Sequence, residues 1–316
     1  MSDLIARPSD GRPSDGRASD GRPSDASRGV TRDRWGRPLL ECPDGITRPF
    51  TRASGAGKPL EDQSKLVDWA KRITLMGAGR RPELGQFAQT CVPEDRDDRA
   101  RLNELAEEAF VAGGGKSAAA MGTSVHKLVE LDERGESIPK GVPASMLADL
   151  DAYRRERDRI GWVTVTSETF VALDWVGYGG SAGRWEVGGL AGSFDQLGGI
   201  DNPRAADRGF GGLLIGDVKT GQHHPGDYSG LGYSMQAGVY AHGLVPGPLG
   251  ARTPLAEHVG RGGLEVNRQK AIIWWLPAGR AECTACVVDI SGAMRNLELA
   301  DKVLRHRKLK GLVSTL

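Results

Sequence analysis

The chain has 316 residues, 39% of them hydrophobic, and its 42 basic and 41 acidic residues leave a formal net charge of +1. With a mean hydropathy of -0.38, this composition predicts a soluble protein with room for one large domain or two modest ones. The longest apolar run, near residues 271–278, is far shorter than the ~20 residues that span a bilayer. The balanced charge neither supports nor excludes a nucleic-acid ligand.

Four cysteines in a chain of this length do not suggest a disulfide framework, and no apolar stretch follows the first charged residues. We therefore expect no secretory signal and no membrane segment, and we predict a location in the reducing cytoplasm, that of the host if the protein is encoded by a phage.

Residues 7–26 repeat one five-residue unit, Arg-Pro-Ser-Asp-Gly, four times with small changes. The units carry no apolar side chain large enough for a core. Such a segment cannot offset the entropy that ordering would cost, so we predict a disordered tail over about residues 1–30. A tethering arm for DNA or for a protein partner is the alternative.

Apolar spacing predicts two helices in the next region, over residues 60–76 and 99–111. The first of them carries Leu66 and Trp69 on its apolar stripe. We therefore expect residues 31–115 to form a mainly helical N-terminal region.

The periodicity then alternates between helical and strand spacing. We predict helices at 117–131 and 143–160, strands at 162–173, 185–197 and 212–219, a helix at 228–243, a hairpin at 271–290 and a helix at 293–310. This order predicts an α/β domain over residues 116–316, with a mixed central sheet flanked by helices. The last helix is basic and is a candidate for contacts with backbone phosphates, with a plain solvated helix as the alternative.

Charged side chains end the strand predicted at 212–219. Because alternate residues of a strand share a face, Leu213, Ile215, Asp217 and Lys219 line up, apolar first and charged last. A carboxylate and an ammonium at the rim of a sheet can meet one phosphodiester. An ordinary salt bridge at the edge of the sheet is the alternative.

Asp195 lies on the preceding predicted strand, among small residues. A second carboxylate beside Asp217 would create a site of hard oxygen ligands suited to Mg²⁺. Two buried carboxylates would otherwise repel each other, so the pair is best explained by a cation between them.

Two helices carry further polar pairs at a spacing of four residues, which places each pair on one helical face. His126 and Glu130 share a face of the helix at 117–131, and the imidazole could supply a nitrogen ligand that Mn²⁺ also accepts. Gln236 and Tyr240 share a face of the helix at 228–243, where they could contact a DNA strand or brace Lys219.

In chain order these motifs are Gly-x-x-x-His-x-x-x-Glu, Gly-x-x-Asp, Asp-x-Lys-Thr-Gly and Gln-x-x-x-Tyr. The series, from Gly122 to Gly243, resembles the RecB-like branch of the PD-(D/E)XK nucleases. That branch includes helicase-linked nuclease domains, CRISPR-associated adaptation nucleases and phage exonucleases. The resemblance implies a restriction-endonuclease-like core and a Mg²⁺- or Mn²⁺-dependent deoxyribonuclease of DNA replication, recombination or repair. The resemblance to this family favours an exonuclease over an endonuclease.

The resemblance also implies a role for each matching residue. It makes His126, Asp195 and Asp217 metal ligands, Lys219, Asp217, Asp195 and Glu130 catalytic residues, and Gln236 and Tyr240 substrate-binding residues. Glu168 also matches an acidic position of the family. The expected partners are DNA, as a single strand or a duplex end, and a separate helicase or recombination protein, without a membrane.

Some members of this branch hold an iron–sulfur cluster with four cysteines. Cys91, Cys283 and Cys286 could supply three ligands, but Cys42 lies far upstream and no third C-terminal cysteine exists. We expect neither a cluster nor a bound zinc ion.

The sequence also has features of two other classes of protein. Ser124-x-x-Lys127 and Lys219-Thr-Gly fit motifs of penicillin-binding proteins and serine β-lactamases, but the Ser-Asp-Asn motif between them is missing. The non-enzyme alternative is a nuclease-like fold kept as a catalytically silent DNA-binding or assembly module.

Overall fold

A computed structural model describes residues 29–174, 189–202, 204–228, 230–307 and 309. The predicted N-terminal tail therefore lies almost wholly outside the described residues, as do the first four residues of the strand predicted at 185–197. No helix among the described residues is both long enough and apolar enough to cross a membrane.

The N-terminal region combines short strands with a helical hairpin. Its elements are β1 (Leu39–Glu41), β2 (Thr47–Pro49), β3 (Thr51–Arg52), α1 (Ser64–Arg80), α2 (Pro82–Ala88) and α3 (Arg96–Ala112). β1 and β2 form a small antiparallel sheet of their own. β3 instead pairs in parallel with a strand of the central sheet, so this region is tied to the sheet through its backbone.

The rest of the chain builds the central sheet and the helices that cover it. The elements are α4 (Ser117–Glu133), α5 (Ala144–Ile160), β4 (Trp162–Asp174), β5 (Gly189–Ile200), β6 (Leu214–Lys219), α6 (Pro225–Tyr228), α7 (Gly230–His242), β7 (Leu244–Pro246), β8 (Arg252–Pro254), α8 (Leu255–His258), β9 (Lys270–Trp275), β10 (Thr284–Asp289) and α9 (Ala293–Arg307). Each element predicted for this region is present, and the short α6, β7, β8 and α8 are additions to the prediction.

The central sheet is mixed, as predicted. Its strands lie in the order β10-β9-β6-β5-β4-β7-β8, with β3 joined to β5. β4, β5 and β6 form an antiparallel meander, and β9 then pairs in parallel with β6. The protein is therefore an α/β protein with a mixed sheet flanked by helices.

Two hydrophobic cores lie on opposite faces of this sheet. The first contains residues of α7 and α9, and the second contains residues of α4 and α5. Leu213 and Ile215 enter the first core, whereas Leu214 and Val218 enter the second. The alternation predicted for this strand is therefore confirmed.

Gly238 lets α7 approach α9 closely. A Cβ atom added to Gly238 would lie 2.2 Å from the Cβ of Ala293, the first residue of α9. Ala293 is completely buried, and its Cβ cannot rotate away because it is fixed by the backbone. The position of α7, which carries Gln236 and Tyr240, therefore depends on a glycine here.

We predict that Gly238→Ala lowers the free energy of unfolding by about 1–2 kcal/mol, because overpacking outweighs the better helix propensity of alanine. Adding Ala293→Gly should restore part of the loss by removing the colliding atom. Gly79→Ala is the matched control, since nothing lies within 4 Å of its added Cβ, and it should be neutral or slightly stabilising. Urea unfolding measures all three. Equal stability of the Gly238→Ala and Gly79→Ala variants would contradict this packing.

Candidate active site where strands β5 and β6 separate

The side chain of Asp195 replaces a backbone acceptor where the hydrogen-bonded ladder between β5 and β6 ends. The last paired residues at this end are Gln196 and Gly216. Beyond them the backbone N–H of Val218 donates to Oδ2 of Asp195 at 2.6 Å. Because the nitrogen of Val218 is bonded to the carbonyl carbon of Asp217, Oδ2 of Asp195 lies within about 5.5 Å of Cα of Asp217. The carboxylate of Asp195 therefore lies beside the backbone of Asp217.

The helix α4 brings His126 to Asp195. Nδ1 of His126 lies 3.4 Å from Oδ2 of Asp195, and both side chains are largely buried. Glu130, one turn further along, is only 9% exposed. It forms ion pairs with Arg134 at 2.8 Å and with Lys127 at 3.1 Å. Glu130 is thus near the site but engaged by two cations.

The glycine of the Gly-x-x-x-His motif has a steric role. A Cβ atom added to Gly122 would lie 2.4 Å from Oγ1 of Thr220, the residue after Lys219. The absence of a side chain at Gly122 therefore lets α4 reach the loop that follows β6. This contact explains why a helix and a distant strand meet here.

A small cavity of about 10 Å³ lies on the α4 side of Asp195, which is about the size of one water molecule. Its lining includes His126, Glu130, Glu168 and Asp195. Glu168 has a φ of 53°, a left-handed conformation that costs a residue with a side chain about 1–3 kcal/mol. Such strain is concentrated at functional sites in proteins, and here it occurs beside a cluster of acidic side chains.

Asp217 and Lys219 form a buried ion pair on the other side of Asp195. The Lys219 ammonium contacts Oδ2 of Asp217, and the two side chains are 14% and 2% exposed. Nζ of Lys219 also donates to Oε1 of Gln236 at 3.3 Å, and Nε2 of Gln236 donates to the hydroxyl of Tyr240 at 2.9 Å. Gln236 and Tyr240 are only 6% and 1% exposed, so both side chains are buried and Gln236 braces Lys219.

The predicted metal ligands are only partly brought together. Within the described ranges, no group of three or more His, Cys, Asp or Glu side chains is placed to hold a metal ion. His126 and Asp195 are in contact, whereas Asp217 contacts the ammonium of Lys219. The donor types and the closeness of the two aspartates fit a hard divalent cation, provided that Asp217 exchanges its ammonium partner for that cation.

The cysteines are free thiols in this structure. Burial and the nearby Glu156 carboxylate raise the pKa of Cys283 to about 12, and the same causes raise the pKa of Cys286. Both thiols are therefore neutral near pH 7. Sγ of Cys286 lies 3.4 Å from Nε2 of His224.

Sequence reasoning missed the polar contacts that hold Asp195's neighbour in place. Nε2 of Gln196 donates to the hydroxyl of Tyr153 at 2.6 Å, and this hydroxyl donates to Oε1 of Glu133 at 2.7 Å. Burial and the adjacent Glu133 carboxylate raise the pKa of Tyr153 well above its usual value, so the phenol keeps its proton. These partners are 43 and 20 residues apart, and no local pattern marks them.

No family model matches the chain, and no curated protein matches it either. Its function must therefore be inferred from its residues and their geometry.

We predict that Lys219→Met lowers the free energy of unfolding by about 3–5 kcal/mol, because it removes the cation that a buried carboxylate contacts. The double variant Asp217→Asn, Lys219→Met should lose much less, since residue 217 then carries no charge that needs a cation. Lys71→Met removes the partner of the exposed Asp68, 3.2 Å away, and should cost less than about 1 kcal/mol. Urea unfolding at pH 7 compares the variants. A loss for Lys219→Met no larger than that for Lys71→Met would show that the buried pair contributes nothing.

Proposed function

We propose that this chain is a metal-dependent deoxyribonuclease of the RecB-like branch of the PD-(D/E)XK superfamily, with a restriction-endonuclease-like core. The order of elements supports the proposal, because the helices α4 and α5 precede an antiparallel meander of three strands. The helix α7 and the short elements β7, β8 and α8 then lead to β9, which is parallel to the last strand of the meander. The observation that carries it is the bond from the Val218 N–H to Asp195. This bond holds Asp195, in the middle of β5, beside the backbone of Asp217 near the end of β6.

Asp195, Asp217 and His126 would hold Mg²⁺ or Mn²⁺. The bound cation supplies a water of lowered pKa and neutralises charge on the phosphate. Asp195 is fixed for this task, because its second role as acceptor for Val218 restrains its rotation. His126, whose Nδ1 atom lies next to the Asp195 carboxylate, would add a nitrogen ligand.

Lys219 is the catalytic cation in this proposal. With Asp217 holding a metal ion, the ammonium of Lys219 would be free to orient the attacking water or to stabilise charge on the phosphate. Gln236 accepts a hydrogen bond from Lys219 and is itself bonded to Tyr240. Gln236 and Tyr240 are therefore positioning residues for Lys219. The products would carry a 5′-phosphate, as in the family.

A catalytically silent DNA-binding module is the second candidate. One observation favours it, namely that the described residues contain no group of three donors placed for a metal ion. In that case Asp217 and Lys219 would stay paired with each other and would take no part in cleavage. Cleavage assays separate the two candidates.

We predict that the full chain cleaves end-labelled DNA with Mg²⁺ or Mn²⁺ and not with a chelator, and that Asp217→Asn lowers the rate by about 10²-fold or more. Linear and circular substrates, each single- and double-stranded, show whether a free end and an unpaired strand are needed. Gel electrophoresis of the products measures the rates.

Asp207→Asn is the matched control, because Asp207 is an exposed carboxylate in the connection before β6, and it should leave cleavage unchanged. Electrophoretic mobility shift with the Asp217→Asn variant should still show DNA binding. DNA binding without cleavage by the unaltered chain would support the silent module. Unchanged cleavage by Asp217→Asn would exclude the proposed site.

A further inference from the structure

Two aromatic side chains lie beside Lys219, outside the motifs considered so far. Trp275 is the residue of β9 that pairs directly with Lys219 of β6 in the parallel ladder. The ring centre of Tyr233, on α7, lies 5.2 Å from Nζ of Lys219. Both side chains are only partly buried.

Both aromatic residues are on the same side of the sheet as Lys219. Alternate residues of β9 enter different cores, since Ala271 packs on the α7 side whereas Ile272 and Trp274 pack on the α4 side. By this alternation Trp275 points to the α7 side, where Lys219 meets Tyr233. The end of the sheet therefore carries a cation with an aromatic ring from each of two elements beside it.

The indole of Trp275 is held in one orientation. Its Nε1–H donates to the carbonyl oxygen of Gly221 at 3.0 Å. The His224 ring lies against it with ring centres 5.1 Å apart and an angle of 75° between the ring planes. A half-buried indole with an anchored edge loses little entropy when a flat ligand stacks on it.

We propose that Tyr233 and Trp275 form a stacking surface for an unpaired nucleobase next to the phosphate at Lys219. The proposal rests on the proposed nuclease function and adds to it the two residues that would bind an unpaired base of the substrate strand. A base inside a duplex already stacks on its neighbours and cannot reach a side chain without being extruded. Aromatic side chains bind unpaired bases with little sequence preference, as a nuclease of general specificity requires.

The test compares a fluorescent single-stranded oligothymidine with a strand of the same length that has abasic sites throughout and keeps every phosphate. Fluorescence anisotropy measures both dissociation constants in the Asp217→Asn background with Mg²⁺. We expect binding about 5-fold to 100-fold tighter for the strand with bases. Trp275→Ala should remove most of this preference while leaving the affinity for the abasic strand unchanged, and Trp275→Phe should keep much of it.

Trp35→Ala is the matched control, because Trp35 is an exposed tryptophan in the N-terminal region, and it should change neither constant. Tyr233→Leu gives a second measurement if Trp275→Ala does not fold. An unchanged preference in Trp275→Ala or in Tyr233→Leu would overturn the stacking surface. Cleavage by the unaltered chain is measured in parallel. Cleavage together with equal binding of both strands refutes only this inference, whereas absence of cleavage refutes the proposed function.

Discussion

The site depends on one hydrogen bond at the place where two antiparallel strands part. The ladder between β5 and β6 stops after Gln196 and Gly216, which leaves the buried N–H of Val218 without a backbone acceptor on β5. Leaving such a group unpaired would cost about 1–3 kcal/mol. The Asp195 carboxylate accepts this bond instead, so the need to satisfy the backbone fixes an acidic side chain beside Asp217.

Each of the two aspartates near this bond has a side-chain partner. Asp195 has the imidazole of His126 on one side, and Asp217, which is 1% exposed, has the ammonium of Lys219 on the other. A buried carboxylate requires a cation or several hydrogen-bond donors. In this structure Lys219 meets the requirement for Asp217. In the proposed mechanism a divalent ion would meet it instead. In that mechanism the exchange would couple metal binding to the release of the Lys219 ammonium.

Local periodicity was enough to predict most of the fold. The alternation of Leu213, Ile215 and Asp217 predicted the faces of β6, and helical spacing predicted α4, whose Val125 and Val129 are buried. The three-residue β7 and β8 are too short to show a period. The prediction for the first helix was less accurate, because Leu66, which was expected on its apolar stripe, is 59% exposed.

The contacts that assemble the site could not be predicted in the same way. Gly122 and Thr220 meet because two distant segments pack together, and no local rule gives their distance. The motif order placed Asp195 near Asp217, but the sequence could not show that Asp217 would contact Lys219 in the metal-free protein. The sequence also did not indicate a role for Trp275, because Trp275 pairs with Lys219 only through the parallel arrangement of β6 and β9.

A crystal structure of the full chain grown with Mn²⁺, with anomalous diffraction recorded at the manganese edge, tests the central claim most directly. The account predicts one anomalous peak within about 2.0–2.3 Å of carboxylate oxygens of both Asp195 and Asp217, with the Lys219 ammonium moved away from Asp217. No peak between the two aspartates, with the ion pair of Asp217 and Lys219 intact at saturating Mn²⁺, would contradict it.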